Sequence, residues 1–301
     1  MLSLQQLSQP TTFQQTPAVE LIVDGQSIPF LPGQVTLIGS RPGMGRTLLT
    51  LYFYHQLYQK YELPQLFISN EEEENLLYNK LIATVTQVNI DLVQDRKEES
   101  ILRSQTLTSD KCFMGSFYGS WEELKEQLVA AIAEKGVQLL FIDKIQGIYS
   151  EQHSRNRDQE VGNIIKELKI LAVEKRISIV VTSSLNRSVE SRVGKIPWLS
   201  DLRDSGSLED IADLILFLHR PEYYGFLEDE EGNSLRGFSE LIYAKNRKGN
   251  AENMQLLFDR NIPCFKPWSP SDRFSFNNSF NKMVEQFGLT EFPGEISDSP
   301  F

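Results

Sequence analysis

Cysteine is scarce. The 301 residues hold only Cys112 and Cys264. Two isolated thiols are too few for a disulfide framework or a zinc site, and a reducing compartment is the plain expectation. Long apolar runs are missing as well: no stretch reaches the roughly 18 apolar residues that a membrane span needs. The opening residues, Met1-Leu2-Ser3-Leu4-Gln5-Gln6, have neither the basic start nor the apolar stretch of a secretion signal. These absences together predict a cytoplasmic protein with no membrane partner. Internal repeats are absent too. Positive charge is in deficit, at a net −11. That argues against a protein that coats DNA with its whole surface, but local phosphate contact depends on where Lys and Arg lie.

What is present fits a globular α/β chain. Hydrophobic residues make up 40% of the sequence, enough for a full core, and the length suits one large domain or two small ones. Residues 1–18 are polar and read as a flexible arm. From Val19 to Phe265, short apolar runs alternate with helical patterns. Val35–Ile38, Gln65–Ser69, Val137–Asp143, Ile177–Ser183 and Leu214–His219 read as strands. A helix is expected from Gly45 to about Lys60. Another is marked by Val161, Ile164, Ile165, Leu168, Leu171 and Ala172, which keep one face. Such alternation predicts a mostly parallel sheet with helices on both sides. Phe238–Lys245 and Met254–Phe258 form a hairpin pattern at its edge. Residues 266–301 are rich in Phe, Ser, Asn and Pro and read as irregular tail.

Charge is unevenly spread. Acid collects at 71–74, 228–231 and 291–298. The stretch 187–203 is net basic, with Arg187, Arg192, Lys195 and Arg203 against Glu190 and Asp201.

The first strand runs into Gly39-Ser40-Arg41-Pro42-Gly43-Met44-Gly45-Arg46-Thr47. A glycine-rich turn between strand and helix lets backbone N–H groups converge on phosphate oxygens, and the positive end of the helix adds to this. Thr47 is placed to offer a hydroxyl to Mg²⁺. The pattern departs from GxxxxGK[ST] at two positions. Ser40 stands at the first glycine, and Arg46 stands at the lysine, a substitution that keeps charge but changes geometry. Taken alone, the loop favours a nucleotide site over a ligand-free turn.

Two carboxylates lie at strand ends, where open α/β sheets bind ligands. Asp143 closes an apolar run in which a bare carboxylate is costly, so a cation is expected beside it. Glu71 follows the strand ending at Ser69 and is a candidate general base, or simply part of an acidic helix start. Lys144 neighbours Asp143, and strand alternation predicts that it points to the opposite face. His219 ends an apolar strand and reads as structural. The aromatic run Tyr52, Phe53, Tyr54, Tyr58 and Tyr61 reads as packing rather than base stacking.

Seven segments in order resemble the C-terminal motor domain of DnaB-type replicative helicases, over about 31–265. Arg41-Pro42-Gly43-Met44-Gly45-Arg46-Thr47 is similar to the family's phosphate loop. Ile68-Ser69-Asn70-Glu71 resembles the segment bearing its catalytic base, and Phe141-Ile142-Asp143-Lys144-Ile145-Gln146 its Walker B segment. Ser183-Ser184-Leu185-Asn186-Arg187 resembles SQLNR, and Leu199 to Glu209 resembles LSDLRESGSIE. Arg220-Pro221-Glu222-Tyr223-Tyr224 and Ala244-Lys245-Asn246-Arg247-Lys248-Gly249 complete the set.

The resemblance implies a RecA-like P-loop NTPase fold, ATP and Mg²⁺ as cofactors, and a hexameric ring around single-stranded DNA. It implies that Thr47 and Asp143 hold the metal and that Glu71 activates water. Arg46 takes the place of the phosphate-bridging lysine. Lys245 and Arg247 would reach into a neighbour's site, with Arg247 as arginine finger. It places Arg203, Asp204 and Gly206 against DNA, and Gln146 and Asn186 between the DNA and nucleotide sites. By pattern alone, Arg203 is a salt-bridged loop residue, Lys245 and Arg247 are solvated edge charges, and Gln146 is a satisfied amide.

Three departures stand out. Arg46 predicts nucleotide binding that survives, weakened, with slow hydrolysis. Ser184 replaces a glutamine that senses nucleotide state in the family. The family's N-terminal domain has no counterpart in the sequence, which leaves ring assembly open. The tail ending Pro300-Phe301 resembles the acidic tip of bacterial single-strand-binding proteins, which docks on replication partners, although its composition favours an ordinary acidic tail. Two rivals remain: a catalytically weak nucleotide- and DNA-binding accessory module serving as loader or scaffold, and a signalling ATPase of the RecA superfamily.

Overall fold

The computed structural model describes residues 16–93, 109–151, 154, 156–202, 206–230, 232–247, 249, 252–259 and 264–268. Its centre is a nine-stranded sheet. Six strands are parallel: β3 (Val35–Ser40), β4 (Gln65–Ser69), β5 (Cys112–Ser116), β6 (Leu139–Asp143), β7 (Ser178–Ser184) and β8 (Leu214–His219). Antiparallel β9 (Phe238–Asn246), β10 (Met254–Asp259) and β11 (Cys264–Pro267) extend one side, in the order β11-β10-β9-β8-β3-β7-β6-β4-β5. The expected hairpin is thus at the antiparallel margin, with β11 added beyond it. A separate hairpin, β1 (Val19–Val23) with β2 (Gln26–Phe30), turns at Asp24-Gly25, both at positive φ. That is the turn geometry that fits the strand twist.

The central strands read as unbroken apolar runs because both of their faces are covered. Every residue of β3, β6, β7 and β8 is buried. Alternation divides them between two cores. On one side Ile38, Phe67, Phe141, Val180 and Leu216 meet α1 (Arg46–Tyr61), with β1 and β2 packed outside it. On the other, Leu37, Leu140, Ile142, Val181 and Phe217 meet α3 (Trp121–Lys135) and α4 (Arg157–Lys175). Helix α2 (Glu74–Thr86) precedes them in the chain, and the short α5 (Gly206–Ile211) leads into β8. Helix α3 begins in a capping box, Ser120 with Glu123, and ends at Gly136 in the left-handed region, so both helix ends are satisfied locally.

The aromatics of α1 are core, as expected. Tyr52, Phe53, Tyr54 and Tyr58 are buried, and Tyr54 stands edge-on to Phe67 and Phe141 with centroids 5.9 and 5.5 Å away. His219 is 4% exposed beside the Tyr224 ring, a structural position. Among the described residues no helix is long and apolar enough to cross a membrane.

Two outcomes follow from this packing. Phe141→Ala removes a fully buried ring and is expected to cost about 3–5 kcal/mol, read by urea unfolding. Burial holds His219 down at about 4, below the value of an unfolded histidine, so the unfolded chain takes up a proton first as pH falls. His55 is held at about 4 in the same way, so each of the two histidines is expected to cost roughly 1–2 kcal/mol of stability between pH 7 and 5, and His219→Gln should remove about half of that dependence.

Candidate functional site

Parallel strands bring their carboxyl ends to one edge. Ser40 lies level with Ser184, and Ser69 with Asp143. The phosphate-loop candidate leaves β3 at this edge. Gly43 and Gly45 take positive φ, 81° and 89°, as sharp turns before α1 require. A Cβ at Gly43 would lie 2.9 Å from the Tyr223 ring. Pro42 sits between Arg41 and Gly43 on the loop, and Met44 packs inward, 2% exposed. Its carbonyl accepts from Arg220, whose guanidinium lies over the Phe258 ring. Ser40 is fully buried and its hydroxyl donates to the Arg41 carbonyl. The Arg41 guanidinium is engaged within the chain: Nε pairs with Glu190 at 2.7 Å and Nη1 donates to the Leu185 carbonyl. A cavity of about 440 Å³ opens here, lined among others by Gly43, Thr47, Glu72, Lys80 and Phe258.

Below the loop, the predicted site residues converge. Thr47 Oγ1 donates to Asp143 Oδ2 at 2.6 Å. Asp143 is fully buried, and its other oxygen accepts from Thr182 Oγ1 and, at 3.5 Å, from Arg46 Nε. Arg46, 7% exposed, turns under α1 towards the strand ends. Its Nη2 pairs with Glu71 at 2.6 Å, and its Nη1 donates to the Ser183 carbonyl and to Ser184 Oγ at 3.2 and 3.3 Å. The two substituted positions, 46 and 184, are therefore one contact.

Lys144 requires a correction. It was expected to face away, yet its Nζ pairs with Glu71. The strand ends at Asp143, so alternation no longer governs the next residue. Asn70 holds the Lys144 backbone by both its N–H and its carbonyl, which returns the side chain to the site. Thr182, Asn70 and Lys144 are the partners that sequence reasoning missed. The signal for the first was a hydroxyl in the buried run Val180–Ser184, one strand from Asp143 and on the same side.

Gln146 is half-buried: its amide donates to Ser183 Oγ and accepts from the Ser184 N–H. It is satisfied, and it sits one residue from the Arg46 contact. Asn186 has an exposed side chain and donates its backbone N–H to the Asp201 carbonyl. In the basic stretch, Arg192 pairs with Asp201 and lies over Trp198, and Lys195 Nζ donates to the Glu190 carbonyl. Arg187 is exposed. Arg203 and Asp204 lie outside the described residues, and Gly206 opens α5.

Lys245 and Arg247 lie elsewhere. Strand β9 runs antiparallel to β8 and pairs Asn246 with Leu214, the first residue of β8. Both cations therefore sit at the end of the sheet opposite the loop. Lys245 Nζ donates to the Glu209 carbonyl. Burial, with the charge of Arg247 beside it, pulls the Lys245 ammonium below its usual value. Arg247 reaches Asp213 at 3.3 Å and the Asp210 carbonyl at 2.6 Å, and its side chain is half exposed.

A glycine-turned loop at a helix start, with a hydroxyl and two carboxylates at the ends of parallel strands, defines a RecA-like α/β protein of the P-loop kind. The comparisons with known proteins agree. The model of the DnaB-like helicase C terminal domain matches residues 22–267. A probable plasmid replicative DNA helicase of Chlamydia psittaci is 32% identical over 79% of this chain and 52% of its own length. A probable replicative DNA helicase of Trieres chinensis is 32% identical over 78% and 53%. Among solved structures, a DnaB-like replicative helicase studied with primase superposes with a TM-score of 0.69, at 25% identity over 80% of this chain and 58% of its own. A second solved structure, an isolated ATPase domain, gives 0.70 at 24% identity, over 80% and 86%, a likeness of fold. The chain belongs to the DnaB-like helicase C-terminal domain family, a family of nucleotide-binding domains, and spans about half the length of the curated relatives it matches.

Gly43→Ala tests the loop geometry. A Cβ there meets both the left-handed φ and the Tyr223 ring. Gly136→Ala, with open space around it, is expected to cost only the left-handed φ penalty of about 1–2 kcal/mol of unfolding free energy, and Gly43→Ala is expected to cost more than that because the ring must also move.

Proposed function

We propose that this chain is the ATP-hydrolysing motor domain of a ring-forming helicase or translocase that acts on single-stranded DNA in replication. The observation that carries it is the convergence of Thr47, Asp143 and Glu71 beneath the loop, with Arg247 at the far end of the same sheet.

The loop's backbone N–H groups would cradle the phosphates of ATP. The donor set suits magnesium: a hydroxyl and a carboxylate already 2.6 Å apart are ligands of the hard-oxygen type it prefers. Thr47 and Asp143 would hold that ion, which neutralises charge on the phosphate oxygens. Glu71 would accept the proton of the attacking water. Arg46 and Lys144 both pair with this carboxylate, so it would have to leave those contacts to face a water, which supports slow turnover.

Arg247 cannot serve its own loop across the length of the sheet. It would serve a neighbour's, with Lys245 beside it, in the head-to-tail contact that closes into a hexameric ring. The loop around Arg203 and Asp204, leading into Gly206, would face DNA in the pore. Gln146, which bonds both Ser183 and Ser184, would link that pore to the nucleotide site, together with Asn186. Replication proteins would dock on the Pro300-Phe301 tail, which lies outside the described residues. A cytoplasmic setting follows from this role.

The test is ATP hydrolysis with and without single-stranded DNA. DNA-stimulated turnover is expected, falling on the order of 10²–10⁴-fold in Glu71→Gln. Turnover untouched by Glu71→Gln overturns the assignment of the base, and nucleotide binding without any turnover makes the chain an accessory module. Arg247→Ala alone should also lose activity. Mixed with Glu71→Gln it should regain about a quarter of it, because one junction in four then joins an intact finger to an intact base. A mixture as inactive as its parts places Arg247 outside the neighbour's site.

A further inference from the structure

Arg46, at the loop's lysine position, and Ser184, at a glutamine position of the resembled pattern, touch each other. Arg46 reaches past Thr47 to Ser184 Oγ, and the short serine leaves room for the guanidinium. Ser184 is 7% exposed and lines the same cavity as Arg46, so a longer side chain there would compete with the guanidinium for that space. Once seated, the guanidinium contacts Asp143 and Glu71 together. Lys144 adds a second cation to Glu71. Two carboxylates thus face two cations, and the fully buried Asp143 has both oxygens already accepting hydrogen bonds from Thr47, Thr182 and Arg46. The negative field that draws a free divalent ion into such a site is matched from within the chain.

We propose that Arg46, accommodated by Ser184, is a built-in counter-cation of the carboxylate site, and that it makes nucleotide binding by this chain largely independent of a divalent metal. The inference rests on the nucleotide-site reading above and deepens it. A metal-dependent site loses affinity on chelation because bare phosphates then face bare carboxylates, a like-charge contact in a low-dielectric pocket. Here Asp143 and Glu71 are neutralised beforehand, so the repulsion is absent with or without metal. Turnover, unlike binding, requires the guanidinium to leave Asp143. Arg46 is a positioning residue in this scheme: it acts through the carboxylates.

The experiment is calorimetric titration of the full chain with ADP, in excess Mg²⁺ and again in EDTA. Wild type is expected to lose no more than about threefold in affinity on chelation, and Arg46→Lys/Ser184→Gln about tenfold or more, because the shorter ammonium no longer spans both carboxylates. Arg46→Lys alone serves if the double variant does not fold, with the same direction expected. Equal loss on chelation in wild type and variant overturns the counter-cation, whereas the reading of a nucleotide site stands. No ADP binding by folded wild type in either buffer overturns both.

Discussion

A carboxylate with no exposure to water, at the end of a central strand, is the constraint on which this site is built. Asp143 closes β6 between β4 and β7, in a run whose other members are all apolar. An uncompensated charge there is costly enough to oppose folding. Three donors from two elements answer it: the Thr47 hydroxyl and the Arg46 guanidinium at the start of α1, and the Thr182 hydroxyl of β7. Each of those elements is packed on the apolar cores of the sheet. The site is therefore a product of the same burial that holds the fold together.

That dependence explains why the two departures in sequence are a single feature in space. An arginine is longer than a lysine and carries a planar fork. Seated at a helix start, it finds a carbonyl and a hydroxyl of β7 on one arm and a carboxylate on the other. The exchange at 184 shortens the wall that faces it. A pair of substitutions that conserve mutual fit is the usual way a tight interior absorbs change of volume.

Much of this was legible in the sequence, and the reasons differ by element. Strands β4 and β8 were read to the residue, because each is a short apolar run cut off by turn or polar residues. The loop, Asp143 and Glu71 were legible because their chemistry depends on strand ends, which periodicity locates. Helix α3 was not read, although its Ser120-Trp121-Glu122-Glu123 start carries the capping pattern. Strands β5 and β11 escaped because they are short and only partly buried or at the margin, where β propensity is weakest as a guide. Strand alternation does not place Lys144, because the strand ends one residue before it. Thr182 and Asn70 were out of reach, since their partners lie 39 and 74 residues away in sequence.

Asp213 has a bearing on the opposite end of the sheet. It receives the Val35 N–H at 2.8 Å, Lys169 at 2.7 Å and Arg247 at 3.3 Å. The first two anchors are shorter and better shielded than the third. If Arg247 swings outward, Lys169 still balances the carboxylate and Val35 still fixes it. The arginine is thus parked rather than locked: its side chain gives up the Asp210 carbonyl on leaving, but it strands no charge on Asp213.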